Sequence, residues 1–391
     1  MKPSRATSAA RIRQSRPIKL SERALNRALL ARQLMLRRSN LTALAAIEHL
    51  VGLQAQTPNA PYIALWSRLT DFEPRALTEL IDNRQIVRIA LMRSTIHSVT
   101  SRDCLELRPH FDSVLARGVQ GAFGRHLQGL NLKQVETAAR KLLQKGPLSF
   151  DELGKLLHKR WPDRDCAALA NAARAMVPLV QIPPRGTWGK GGLATHVPAE
   201  SWLGRPLSST PMLDQLILRY LAAFGPATVR DVQVWSGLSR LGPILDSMRA
   251  NLVTFIDEEG NQLFDTPNGP RPDADTPAPP RFLPVFDNIL LAHADRRRIL
   301  SETHRKMLFC TAALFEGTVL VDGYVGAKWK IVQEQDRAVL IVEPFAPLRN
   351  HDRASISEEG TGLLRWAFSA SATQEVRFTK QISRWAPSPR C

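Results

Sequence analysis

Leu142-Leu143-Gln144-Lys145-Gly146-Pro147-Leu148-Ser149-Phe150-Asp151-Glu152-Leu153 reads as the end of an apolar helix, a Gly-Pro stop, and a serine that opens a second helix. The same order returns at Leu221-Ala222-Ala223-Phe224-Gly225-Pro226-Ala227-Thr228-Val229-Arg230-Asp231-Val232. In both, Ser149 or Thr228 is followed three positions later by an acid, Glu152 or Asp231. That spacing lets the two side chains satisfy exposed amides of the first helical turn reciprocally. Two modules of one architecture are predicted.

Each copy continues through a third apolar stretch, 167–177 and 241–252, with strand-like segments and turn residues after it. These are Leu179-Val180-Gln181-Ile182 before Pro183-Pro184-Arg185-Gly186, and Thr254-Phe255-Ile256-Asp257 before Glu258-Glu259-Gly260-Asn261. Three helices followed by a two-stranded wing make the winged variant of the helix-turn-helix. A less regular copy is expected over 20–99, with helices at 21–36 and 42–53 and a wing pairing 86–91 with 95–99. Such units also serve as protein-packing scaffolds, so the pattern alone leaves the partner open. A Pro-, Gly- and Asp-rich linker at 267–280 leads into a mixed region. There, 318–325 and 327–332 read as strands turning around Gly326, 338–342 as a third strand, 360–369 as helix, and 384–391 as a frayed end. The expected fold class is α+β, tandem winged helix-turn-helix motifs with a β-rich C-terminal domain. The expected boundaries are a basic flexible arm at 1–19, winged-helix modules at 20–132, 133–205 and 206–266, the linker, and a last domain at 281–391.

The chain has 391 residues, and its 53 Lys and Arg against 36 Asp and Glu leave a net charge of +17. That surplus favours a polyanionic partner, nucleic acid first, through phosphate contacts and counterion release. The cysteines Cys104, Cys166, Cys310 and Cys391 lie far apart, without metal-ligand spacing, so no metal, no cofactor and a reducing cytosolic setting are expected. No stretch approaches the roughly 18 apolar residues of a membrane span. The arm carries Lys2, Arg5, Arg11, Arg13, Arg16 and Lys19 without an acid, which suits a DNA-touching arm and also an organelle transit peptide.

Gln54-Ala55-Gln56 follows the apolar run Ile47-Glu48-His49-Leu50-Val51-Gly52-Leu53. If the chain past Gly52 is extended, side chains at i and i+2 share a side, so both amides can converge on one small target. An amide offers donors and an acceptor but does not titrate; such a pair can hold a water or read a base, and cannot serve as a general base.

Together, Leu53-Gln54-Ala55-Gln56, Leu91-Met92-Arg93-Ser94-Thr95-Ile96-His97, Leu283-Pro284-Val285-Phe286-Asp287-Asn288 and Val321-Asp322-Gly323-Tyr324-Val325 resemble the winged-helix DNA glycosylase family that includes AlkZ and YcaQ. The resemblance covers 20–348. It implies a C-shaped monomer that removes N7-alkylated purines from double-stranded DNA, interstrand crosslinks included, in base-excision repair in the bacterial cytoplasm at the nucleoid. The family's catalytic motif is Q-x-Q in one branch and Q-x-D in the other; Gln54 and Gln56 match the first. The family's DNA-contacting hairpin falls on Asp322, Gly323, Tyr324, Val325, Gly326, Ala327, Lys328 and Trp329, where Val325-Gly326-Ala327 departs slightly from the usual small-residue turn. Arg93 and His97 are carried over as DNA contacts. A salt bridge within the turn is the other reading of Arg93, and a structural histidine that of His97. Trp329 and Tyr324 either wedge at a lesion or pin the hairpin. Asp287 and Asn288 read as a buried cap. Arg296, Arg297 and Arg298 touch phosphate or form a solvated face.

An N7-alkylated purine is already cationic, so its departure needs no general acid. What remains is to capture an oxocarbenium-like sugar, and an amide pair that holds a water in near-attack geometry suits that task. No lysine sits beside the motif, so a monofunctional enzyme that leaves an abasic site is expected. A regulator that binds DNA without chemistry is the alternative reading.

Overall fold

Both capping boxes form. In this computed structural model, which describes residues 18–309, 316–334, 337–368 and 373–379, Ser149 opens helix Phe150–His158 with reciprocal bonds to Glu152. Thr228 opens Val229–Ser236 in the same way with Asp231. Around the first box stand helices Leu132–Leu143 and Cys166–Met176, then strands Leu179–Ile182 and Thr195–Pro198. Around the second stand Leu213–Phe224 and Gly242–Ser247, then the antiparallel hairpin Val253–Ile256 and Gln262–Asp265. The stretch 241–252 yields a six-residue helix and a 3-10 turn, Arg249–Asn251, rather than one longer helix.

The N-terminal region holds more helix than expected. Between Glu22–Arg32 and Ala43–His49 and the hairpin Ile86–Ala90 with Ile96–Thr100 lie two further helices, Ala60–Arg68 and Pro74–Asp82, each with a proline in its first turn, where no amide is missed. The expected wings of the first and second copies do not stand apart. Arg88 and Ile89 pair with Gln181 and Val180, merging both into one six-stranded sheet. Its edge is the two-residue strand Leu53–Gln54, paired antiparallel with Ile96–Thr100. Edge placement leaves that strand with one strand neighbour, although both of its residues are buried.

The C-terminal region is a five-stranded sheet in the order Thr373–Phe378, Arg337–Pro344, Tyr324–Glu334, Gly317–Val321, Arg281–Leu283. Thr373–Phe378 runs parallel to its neighbour after the 18-residue helix Asn350–Ala367. The expected turn at Gly326 is corrected: the chain reverses at Asp322-Gly323, both at positive φ (46° and 84°), the pair that a tight hairpin demands. Gly326 lies inside the strand. Leu53, Tyr62 and Trp66 share a core with Phe282, Trp329 and Leu340, so the motif strand is backed by the C-terminal sheet. Residues 1–17 of the basic arm and 384–391 lie outside the described residues; Lys19 bridges to Ile256 on the 253–265 hairpin.

Candidate active site

Two left-handed residues launch the motif. Val51 (φ 55°) and Gly52 (φ 91°) end helix Ala43–His49, and the Gly52 amide donates back to Ile47 O. Glycine is required twice over at 52: its φ favours no side chain, and a Cβ would come within 2.6 Å of Val99 Cγ1. From there Gln54 lies opposite His97 in register, and Ala55 donates to Ile96 O at 2.7 Å.

The two glutamines face one turn. Arg93 Nη2 donates to Gln54 Oε1 at 2.9 Å, and the Ile96 amide donates to Gln56 Oε1 at 3.3 Å. Gln54 is 8% exposed and Gln56 is exposed. A guanidinium and a peptide N–H only donate, so in each amide the carbonyl must point at the protein, leaving one lone pair of that oxygen and the NH2 group for a ligand.

Among the described residues Arg93 has no ion-pair partner. Its guanidinium also donates to Asn288 Oδ1 at 2.9 Å and to Trp235 O at 2.6 Å, three neutral oxygens in all, and burial pushes its pKa down to about 10. Arg88, 2% exposed, donates to Ala55 O at 2.8 Å, and burial likewise lowers it to about 10. Neither Arg88 nor Asn288 was expected beside the motif. The nearest cation in sequence on the C-terminal side, Arg68, belongs elsewhere, in a buried pair with Asp287. Asp287 is the cap expected of it, accepting from Ile289 N at 3.1 Å.

His97 is corrected as a DNA contact. It is fully buried, with Nδ1 bonded to Thr95 O at 3.0 Å; burial, reinforced by Arg93 and opposed by hydrogen bonding to Thr95 and Asn288, holds its pKa down at about 3. Burial also lowers His196 to about 4. Unfolded histidines protonate near pH 6.5, so between about 6.5 and these lower values the unfolded chain takes up protons that the folded chain refuses, and stability falls with pH. The melting temperature is expected to drop over that window, and His196→Gln to make the drop shallower. An unchanged slope would show that His196 does not carry it.

The hairpin is also corrected in part. Val325, Ala327 and Trp329 point into the core, and Trp329 pins it by donating to Leu283 O at 2.9 Å and meeting Phe282 edge-on. Asp322 is paired with Arg23 and Arg27, and Gly323 lies against Asn26 and Arg27 of the first helix, so the tip is covered. Lys328 sits between Glu316 and Glu343. The outward positions are Tyr324, Gly326 and Lys328. Of the basic run, Arg297 pairs with Asp295 and Glu259, and Arg298 is buried against Pro226 O. Unpaired positive charge gathers instead in a groove of about 280 Å³ between helices Leu132–Leu143 and Phe150–His158. Exposed Lys141, Lys145 and Lys159 rim it, with no ion-pair partner among the described residues, beside Arg160. Among the described residues no three His, Cys, Asp or Glu gather as a metal site, and no helix is long and apolar enough to cross a membrane.

A family model described as DNA glycosylase AlkZ-like matches residues 47–366. The chain belongs to the AlkZ-like DNA glycosylase family. The interstrand DNA cross-link repair glycosylase of Streptomyces sahachiroi is 23% identical over 356 residues, 85% of this chain and 93% of that protein. The solved structure of the Streptomyces sahachiroi DNA glycosylase AlkZ matches with a TM-score of 0.74 at 20% identity, over 93% of this chain and 100% of that one. At that identity the AlkZ likeness is one of fold, a mixture of helix and sheet.

Proposed function

We propose that this protein is a monofunctional DNA glycosylase that hydrolyses the N-glycosidic bond of N7-alkylated purines in duplex DNA, unhooks interstrand crosslinks, and uses Gln54 and Gln56 to hold the attacking water. The observation that carries the reading is a pair of amides, Gln54 at the end of an edge strand and Gln56 just past it, whose carbonyls both accept from the segment 93–96. Membership of the AlkZ-like family and the +17 charge support it.

In the proposed reaction the C1′–N9 bond breaks and its electron pair goes to the purine, cancelling the positive charge that alkylation placed there. Water adds to C1′, and its proton leaves to solvent, since an amide does not take it. The second lone pair of each Oε1 accepts from the water and fixes its approach. Arg93, one hydrogen bond behind Gln54, adds like charge near a sugar that becomes positive. Such a site stabilises the sugar cation weakly, which favours substrates whose leaving group is activated already. Among the described residues the cations bonded to the motif are the guanidinium groups of Arg88 and Arg93, and these do not form the Schiff base that a lyase step requires.

In this reading the helix-and-hairpin runs are winged-helix modules at 20–132, 133–205 and 206–266 of a C-shaped monomer. Tyr324 and Gly326 are the part of the hairpin kept for DNA, Lys328 being held between Glu316 and Glu343, together with the basic groove at Lys141 and Lys159. The regulator reading is less well supported: in the second module the recognition-helix counterpart Cys166–Met176 has six of its eleven residues buried.

Duplexes carrying N7-methylguanine or a nitrogen-mustard crosslink, incubated with the protein and then treated with alkali, are expected to break at the lesion. Intact strands across all such lesions would overturn the proposal, and breaks before alkali would overturn its monofunctional part.

A further inference from the structure

We propose that Arg93 is a positioning residue, which with Asn288 fixes the orientation of the Gln54 amide instead of gripping a DNA phosphate. The proposal rests on the reading of Gln54 and Gln56 as the reacting pair.

The bonds close into a circuit. Arg93 Nη2 donates to Gln54 Oε1 and to Asn288 Oδ1, both at 2.9 Å, and Asn288 Nδ2 donates to Gly52 O at 3.2 Å, two residues before Gln54. The motif is therefore held at its side chain and at its main chain by one pair of residues from distant segments. The last torsion of a glutamine is broad and roughly two-fold, so an unheld amide exchanges its oxygen and nitrogen at little cost. A guanidinium has no acceptor, which permits one of the two orientations, and a charged donor makes the bond stronger than a neutral one.

Arg93 is itself built in from the opposite side. It and Ser94 both sit in the left-handed region, φ 55° and 59°, which side-chain-bearing residues seldom occupy. The turn fits against its neighbours: the guanidinium donates to Trp235 O at 2.6 Å, and Gly118 leaves room for Ser94, whose Oγ lies 3.0 Å from where a Cβ would stand. Asn288 follows Asp287, whose carboxylate is clamped by Arg68 at 2.8 and 2.9 Å. Three of Arg93's five N–H donors, both of those on Nη2 among them, are already taken by protein oxygens. A phosphate-binding arginine keeps its fork for the ligand.

The test pairs chemistry with salt dependence. Single-turnover base release from an N7-methylguanine duplex and affinity for the same duplex over a salt series are measured for the full-length protein and for Arg93→Ala, Arg93→Lys, Asn288→Ala and Arg93→Ala/Asn288→Ala, with Gln54→Ala alongside. Arg93→Ala is expected to slow base release by about 10- to 100-fold, while affinity and the slope of log affinity against log salt stay unchanged. Arg93→Lys and added guanidinium ion are expected to restore part of the rate. The double variant is expected to be no slower than Arg93→Ala, because both residues act through one amide.

A salt slope shallower by about one unit, with the rate following occupancy, would make Arg93 a phosphate contact and overturn the proposal. Additive losses in the double variant would also overturn it. If Arg93→Ala does not fold, Arg93→Lys and Asn288→Ala carry the same comparison. An inactive Gln54→Ala beside fully active Arg93 and Asn288 variants defeats the positioning role alone; a fully active Gln54→Ala defeats the reading of the motif beneath it.

Discussion

Gln54→Ala is expected to slow base release by about 10²- to 10³-fold, the cost of removing one preorganised dipole from a reacting centre. Binding of the same duplex is expected to hold within about threefold, because an uncharged amide neutralises no phosphate and phosphate neutralisation dominates affinity. Gln56→Ala should lose a similar factor. The two changes act on one water, so their losses should not multiply. Gln56 is exposed and held by a single 3.3 Å bond from Ile96 N, whereas Gln54 is nearly buried and held by a guanidinium. The better-held amide sets the water's position, so Gln54→Ala should be the more damaging change. Single-turnover release at saturating protein measures this directly. A rate within threefold of the parent for both variants, on a lesion that the parent processes, would remove the amide pair from the chemistry.

What the sequence disclosed follows from how local each signal is. The capping boxes at Ser149 and Thr228 are spelled within four residues, and both form. The 253–265 hairpin is announced by its Gly260-Asn261 turn. The merging of two wings is not local: it depends on Arg88 and Ile89 meeting a strand that lies far along the chain, and nothing in either segment names the other. The reversal at Asp322-Gly323 is a different case. Asp-Gly is a strong hairpin signal, and Gly326, in the same short stretch, drew the turn away from it. The motif divides in the same way. Gln54 and Gln56 stand out in the sequence through the family resemblance, since a bare Q-x-Q is common and two amides at i and i+2 say only that they can share a side. Arg88 and Asn288 became neighbours of the motif only through tertiary pairing, and Arg93, read as a phosphate contact, is occupied by protein oxygens once folded.

Asp287→Ala is expected to destabilise the protein by about 3–5 kcal/mol, the usual result of leaving a buried charge without its partner. Arg68 and Asp287 are among the most buried ionic groups of the chain, their side chains 1% and 2% exposed, and they meet through two parallel bonds. Arg68 also donates to Ala64 O and Gln33 Oε1, and Gln33 reaches Ala223 O, so the pair ties helix Ala60–Arg68 to two other segments. Truncating Asp287 strands that guanidinium and removes the cap on Ile289. Replacing both partners by apolar residues, Arg68→Met with Asp287→Leu, should recover most of the stability, since such replacements are often neutral. It should not recover activity. Asn288, adjacent in the chain, would lose the clamp that places its amide against Arg93 and Gly52, and with it the hold on Gln54. Urea midpoints and single-turnover release on the same preparations separate the two effects. A loss of less than about 1 kcal/mol in Asp287→Ala would show that the pair is dispensable for folding, and full activity in the apolar double variant would show that the cap does not position the site.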